Sequence, residues 1–190
     1  MFSLTDYPEF QILQDHCEVI EEELANAPMW FVWDSDAYDR KGNCIFLRGD
    51  WTVCPVYFGN VSLCEVVTLA DEALKSELGA MCHALPELMP RTTELLSQIP
   101  SVNYAAFSRL GPRSSLATHK HKSPCSLILH MGLRIPRHCG LTVAGESHTW
   151  QERGDVVIFD GNFPHSAWNF SDAERVVLYV DFENSPAANI

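Results

Sequence analysis

Three histidines and one arginine carry the most legible chemistry in this chain: His119, His121, His165 and Arg175. Two imidazoles one residue apart, with a third far downstream, cannot share one helix face. In an extended segment side chains alternate, so His119 and His121 point the same way. His165 follows the turn-like stretch Asp160 to Pro164 and opens a strand that meets them if the intervening chain folds back. Three imidazoles suit Fe, Zn, Cu or Ni, and three protein ligands leave positions open for substrate or O2. Arg175 stands ten residues after His165 and opens the run Arg175 to Val180. A guanidinium deep in a barrel is suited to bidentate capture of a carboxylate.

The elements that must position these residues change character along the chain. Residues 6–26 carry Phe10, Leu13, Cys17, Ile20 and Leu24 at helical spacing, with Asp6 as N-cap, Pro8 in the first turn and Pro28 beyond the end. The cluster Glu21-Glu22-Glu23 reads as a solvated face. Residues 29–64 are rich in aromatic and β-branched residues and read as short strands or extended loops that pack on the main sheet. Helical period returns over 65–98, with Val66, Leu69, Ala70, Ala73 and Leu74 in one stripe and a second helix from Glu87 to Gln98. From Val102 the period is two: Val102 to Leu110, Ser126 to Ile135, Leu141 to Val143, His148 to Trp150, Asp155 to Phe159, His165 to Asn169 and Arg175 to Phe182. These are about seven short strands divided by Gly, Pro and Asp turns, the pattern of an antiparallel sandwich or barrel. No βαβ alternation with a glycine-rich phosphate loop occurs, which argues against a dinucleotide fold. The expectation is a mainly β chain with N-terminal helices, one domain over 1–190. A helical layer with short strands (1–100) would pack on a jelly-roll core (101–183) that carries the site.

Composition narrows the function classes. The 190 residues are 46% hydrophobic, enough for one domain with a sizeable core. The net charge is -12, which argues against a nucleic-acid or anionic-membrane surface, because phosphates need clustered Lys and Arg. One basic island interrupts the acidic chain: Arg109, Arg113, Lys120, Lys122, Arg134 and Arg137. Such an island fits either a site for a small anion or a solvated rim. Seven cysteines, an odd number with no CxxC pair, read as reduced thiols in a cytoplasmic protein. No basic segment followed by an apolar run opens the chain, and no apolar stretch is long enough to span a membrane. The expected partner is a small-molecule or peptide substrate, and oligomeric state is left open.

Two patterns compete for the histidines. Gly154 to Asn169 resembles the second cupin motif and His119-Lys120-His121 the HxH of the first, but Ser123 to Ser126 stand where that motif carries a Glu. The other pattern is that of Fe(II)/2-oxoglutarate oxygenases. Here the chain resembles the aspartyl/asparaginyl β-hydroxylases, with no gaps from Ser108 to Phe182. The similar elements are Phe107-Ser108, His119, the block His130 to Pro136, Thr149-Trp150, Gly154 to Asp160, Phe163, His165, Trp168 and Arg175, with Gly49-Asp50-Trp51 upstream.

The resemblance implies a double-stranded β-helix that uses Fe(II), 2-oxoglutarate and O2 to hydroxylate an unactivated carbon of an amino-acid-like or peptidyl substrate. His119 and His165 would ligate iron. Arg175 and Ser108 would hold the distal carboxylate of 2-oxoglutarate, His130 would sit near the other carboxylate, and Trp51 would lie near the substrate channel. At the third ligand position the family carries Asp in some members and Gly in others, and here it is His121. Ile128 stands where the family carries an Arg that contacts bound acid groups, and Ser126 and Ala106 replace its substrate-binding basic residues. Those departures argue against peptidyl aspartate. They favour a smaller or more apolar substrate, or one anchored through Arg109 or Arg134. A three-His cupin dioxygenase that needs no 2-oxoglutarate, and a non-catalytic metal-binding jelly roll, are the alternatives.

Overall fold

The computed structural model describes residues 1–30, 46–60, 72–120 and 126–184. The expectations for Val66, Leu69 and Ala70, for Cys125, and for the third histidine His121 lie outside the described residues.

Ten strands follow in order: β1 (Phe46–Arg48), β2 (Trp51–Phe58), β3 (Val102–Leu110), β4 (Ser114–His119), β5 (Ser126–Arg134), β6 (Cys139–Val143), β7 (Glu146–His148), β8 (Val156–Asp160), β9 (His165–Asn169) and β10 (Arg175–Glu183). They form two antiparallel five-stranded sheets, β1-β4-β9-β6-β7 and β2-β3-β10-β5-β8. From β3 onward the chain crosses repeatedly between the sheets and winds a double-stranded β-helix, the jelly roll the strand spacing implies. β2 and β1 then extend the two sheets at their edges, so the upstream region contributes strands as well as helices. β4 is the strand that the run of apolar residues did not reveal. Pro55 is tolerated because β2 is an edge strand, and the β2–β3 register shifts just after it.

Before β1 lie α1 (Gln11–Asp15) and α2 (Cys17–Glu23); α3 (Glu72–Leu88) and α4 (Pro90–Ser97) precede β3. The expected single helix over 6–26 is broken at His16 (φ -115°, ψ 20°), whose Nδ1 lies 2.9 Å from the Ile12 carbonyl. Asp6 caps nothing downstream; its carboxylate accepts from the Ser3 N–H and hydroxyl instead. Glu87 belongs to α3, and the second helix starts at Pro90, in the first-turn position proline favours. Among the described residues, no helix is long and apolar enough to cross a membrane.

Helices cover one face of the larger sheet. Phe10, Leu13, Ile20, Met89 and Leu96 pack there against Phe107, Leu129, Leu178 and Phe182. A second core, with Val53, Leu110, Leu141, Trp150, Phe159 and Val177, fills the space between the sheets. β3 and β10 are therefore buried on both faces, which explains their nearly continuous apolar sequence. Glu23 departs from the solvated face expected for it. It is 9% exposed, and its carboxylate accepts the Arg91 and Thr92 N–H groups and the Thr92 hydroxyl, so it caps α4 from a distant helix.

Asn169 ties the sheets together beneath the cavity between them. Fully buried, it donates through Nδ2 to the carbonyls of Leu110 (3.0 Å), Gly111 (2.9 Å) and Ala173 (2.7 Å), and its Oδ1 accepts from Ser171. It thereby fixes the β3–β4 turn to the turn that launches β10. Asn169→Ala removes three hydrogen bonds, leaves the Leu110 and Gly111 carbonyls without their Asn169 donor, and is expected to destabilise the fold by on the order of 3 kcal/mol in urea unfolding. An unchanged midpoint would contradict this role.

Candidate active site

The site lies between the two sheets. Among the residues lining its cavity are Trp51, Ser108, His119, His130, His165 and Arg175, so six of the residues singled out in the sequence converge. Each gets there by a local device. Gly49 (φ 86°) turns the chain in the left-handed region and lies so close to Ser114 that a Cβ would stand 2.0 Å from its Oγ. The Asp50 N–H donates to that same Oγ, and the Asp50 carbonyl accepts the Gly111 N–H. Gly49-Asp50 thus anchors the chain that delivers Trp51. The Trp51 indole N–H donates to the Ser108 hydroxyl oxygen at 3.0 Å, which leaves the Ser108 proton for another acceptor.

His119 and His165 face each other in register on β4 and β9. A register shift between Leu116 and His119 lets both of those residues reach the cavity although they are three apart, a phase change that strict alternation forbids. The two imidazole ring centroids lie 4.2 Å apart with planes at 57°. His119 Nδ1 is 2.8 Å from the Ala117 carbonyl, and His165 Nδ1 is 2.9 Å from the Phe163 carbonyl. A carbonyl only accepts, so in both rings Nδ1 carries the proton and Nε2 the lone pair. Two imidazoles held in that tautomer by backbone acceptors are oriented as Nε2 metal ligands are. Among the described residues no third His, Cys, Asp or Glu joins them.

Arg175 is the electrostatic centre of the cavity. It is 1% exposed, and among the described residues its Nε and Nη1 have no hydrogen-bond partner. Burial pushes its pKa down from the usual guanidinium range to about 10, with the Cys139 thiol opposing, so the charge persists at neutral pH. The unfolded chain holds this proton more tightly. Stability therefore rises as pH climbs above about 10, and at neutral pH the buried charge is a cost to the fold. An anion bound beside it would offset that cost. Cys139 is no competing nucleophile: it is buried, its thiol is pushed up by burial, and it donates to the Pro136 carbonyl.

The two arginines expected to anchor a substrate are not brought here. Arg109 neighbours Ser108 on β3, so alternation sends it to the opposite face. There its guanidinium lies 4.5 Å from the Trp30 ring centre and its Nε donates to Thr52. Arg134 lies beyond a register shift between β5 and β10, opposite Val176, and pairs with Glu21 and Glu174. Arg134 thereby braces α2 through Glu21, and Arg109 packs against Trp30. The rest of the lining is largely apolar, with Val53, Tyr104, Ala106, Ile128, Phe159 and Tyr179 among it. Ile128 and Ala106 therefore face the cavity, and among the described lining residues Arg175 is the only Lys, Arg, Asp or Glu.

The donor set fits an iron ion at His119 and His165, and the Arg175 guanidinium, the only charged group among the described lining residues, fits a carboxylate. His119→Ala and His165→Ala are each expected to weaken Mn(II) binding in calorimetry by more than about 100-fold, the upper end of what losing an outer partner costs. Unchanged affinity in either variant would remove that histidine from the ligand set.

Comparison with known proteins places this geometry. The aspartyl/asparaginyl β-hydroxylase profile matches residues 14–185. An ornithine lipid ester-linked acyl 2-hydroxylase from Rhizobium tropici is 38% identical over 96 residues, 49% of this chain and 34% of that protein. The aspartyl/asparaginyl β-hydroxylase of Homo sapiens is 33% identical over 98 residues, 48% of this chain and 13% of that protein. Aspartate β-hydroxylase domain-containing protein 2 of Xenopus tropicalis is 35% identical over 101 residues, 48% of this chain and 27% of that protein. The aligned stretch thus spans about a third or less of the length of these relatives. With the profile covering almost the whole sequence, the chain belongs to the aspartyl/asparaginyl β-hydroxylase family.

Proposed function

We propose that this protein is an Fe(II)- and 2-oxoglutarate-dependent hydroxylase acting on an unactivated carbon. The observation that carries the reading is Arg175, a buried guanidinium without a hydrogen-bond partner at Nε or Nη1 among the described residues, in the same cavity as two imidazoles directed through Nε2. A three-His dioxygenase without 2-oxoglutarate has no use for that charge. Family membership supports a hydroxylase.

In this reading His119 and His165 hold the iron, which when bound supplies oxidising power drawn from O2 and 2-oxoglutarate. Arg175 neutralises the distal carboxylate of 2-oxoglutarate, and the Ser108 hydroxyl, held from behind by Trp51, donates to it. His130 would sit near the second carboxylate, as the family resemblance implies. The apolar wall keeps bulk water from the reacting carbon. The buried Cys54 thiol and the partly buried Cys82 thiol, both pushed up to about 11 chiefly by desolvation, suit a reducing cytoplasm and stay protonated.

The relatives are named for an acyl chain and for aspartyl or asparaginyl residues, so membership leaves the substrate open. The cavity wall favours an uncharged reacting group, because an ionised carboxylate against Ile128 and Ala106 would be buried without a partner. N-acetyl-leucine amide is therefore expected to stimulate succinate formation more than N-acetyl-aspartic acid amide, and Ile128→Arg to narrow or invert that difference. Preference of the unmodified protein for the acidic amide would contradict the apolar assignment.

The reading itself is tested with Arg175→Met. Wild type is expected to release succinate from 2-oxoglutarate only with Fe(II), and to melt at a higher temperature when 2-oxoglutarate is added. The variant is expected to lose both responses while its ligand-free melting temperature stays unchanged or rises, since a destabilising buried charge is gone. Retained succinate release would defeat the assignment.

A further inference from the structure

Trp150 touches both residues assigned to the two carboxylates, although it is not among the residues lining the cavity. It follows β7, is 5% exposed, and reaches across to the larger sheet. The Arg175 guanidinium carbon lies 5.4 Å from the centre of its ring. The His130 ring is nearly parallel to it, 21° between planes and 6.4 Å between centroids. Its indole N–H donates a long bond, 3.4 Å, to the His130 carbonyl. His148 meets it edge-on at 5.2 Å.

The sheet makes room for this ring at one position. Gly132 follows His130 by two on β5 and pairs with Val177, two residues from Arg175 on β10. It therefore sits between the rows that carry the two cosubstrate residues. A Cβ at Gly132 would stand 3.1 Å from Trp150 Cδ1 and 2.6 Å from Ile135 Cγ1. The missing side chain lets the indole close over the gap. An isolated buried guanidinium has many rotamers and, at Nε and Nη1, no partner among the described residues to choose between them. An aromatic face below it supplies a cation–π contact that selects one.

We propose that Trp150 is a positioning residue for the 2-oxoglutarate-binding pair: its contacts hold the Arg175 guanidinium and the His130 ring in place before that acid arrives, and Gly132 is the gap that admits it. This rests on the reading of Arg175 and His130 given above. Binding to an ordered pair avoids the entropy of fixing the side chains, so loosening them weakens affinity without altering the metal ligands.

The experiment is calorimetric titration of 2-oxoglutarate into Mn(II)-loaded wild type, Trp150→Phe, Trp150→Leu and Gly132→Ala. Trp150→Phe keeps an aromatic face and is expected to weaken 2-oxoglutarate binding by about threefold, Trp150→Leu by about 30-fold, and Gly132→Ala by about tenfold. Affinity for Mn(II) alone is expected to stay within about twofold in all of them, because neither ligand imidazole nor the carbonyl that orients it is altered. A merely structural role predicts otherwise: melting temperature and Mn(II) affinity would fall together with 2-oxoglutarate affinity, and Phe would not rescue what Leu loses. That pattern, or equal 2-oxoglutarate affinity in wild type and Trp150→Phe and Trp150→Leu, overturns the inference. Absence of 2-oxoglutarate binding in wild type would instead defeat the underlying functional reading.

Discussion

A positive charge buried without a counter-charge among the described lining residues organises this molecule. Arg175 lies at the start of a central strand, 1% exposed, with two guanidinium nitrogens lacking a hydrogen-bond partner among the described residues. Proteins seldom keep such a group unless something pairs with it for part of the time. The fold bears the cost through two hydrophobic cores, one under the helices and one between the sheets. Asn169 secures the turn from which Arg175 emerges, so the strain of housing the charge is met by a rigid, hydrogen-bonded base.

The double-stranded β-helix separates two tasks. The larger sheet offers Ser108, His130 and Arg175, on β3, β5 and β10, the residues proposed to bind the cosubstrate. The smaller sheet offers the imidazoles, on β4 and β9. Chelation of a small acid across the gap would join the two sheets. The core between the sheets sets their spacing, and the Cβ-free positions at Gly49 and Gly132 let chains approach where a side chain would hold them apart.

Much of this was legible in the sequence because period two is a direct consequence of strand geometry. β3 and β9 fall where alternation and turn residues put them, and His119, His165, Ser108, His130, Trp51 and Arg175 meet in one cavity. What was not legible depends on tertiary partners or on phase. Ser108 and Arg109 are neighbours and cannot both face inward; the same alternation that selects one excludes the other. Arg134 fails for a subtler reason, a register shift that a single strand's sequence does not announce. The shift before His119 works in the opposite direction and brings its imidazole into the cavity. Glu23 looked solvated within an acidic triplet, and only the helix that packs above it reveals a cap. His121 lies outside the described residues, so its part in the ligand set stays with the sequence-based expectation.

The central claim is that one diacid spans the His119–His165 pair and Arg175. A crystal structure of the protein soaked with Mn(II) and 2-oxoglutarate measures this directly. The account predicts the metal on the Nε2 atoms of His119 and His165, with the distal carboxylate on the Arg175 guanidinium beside the Ser108 hydroxyl. A diacid bound elsewhere, or a metal bound there while Arg175 contacts no carboxylate, would contradict it.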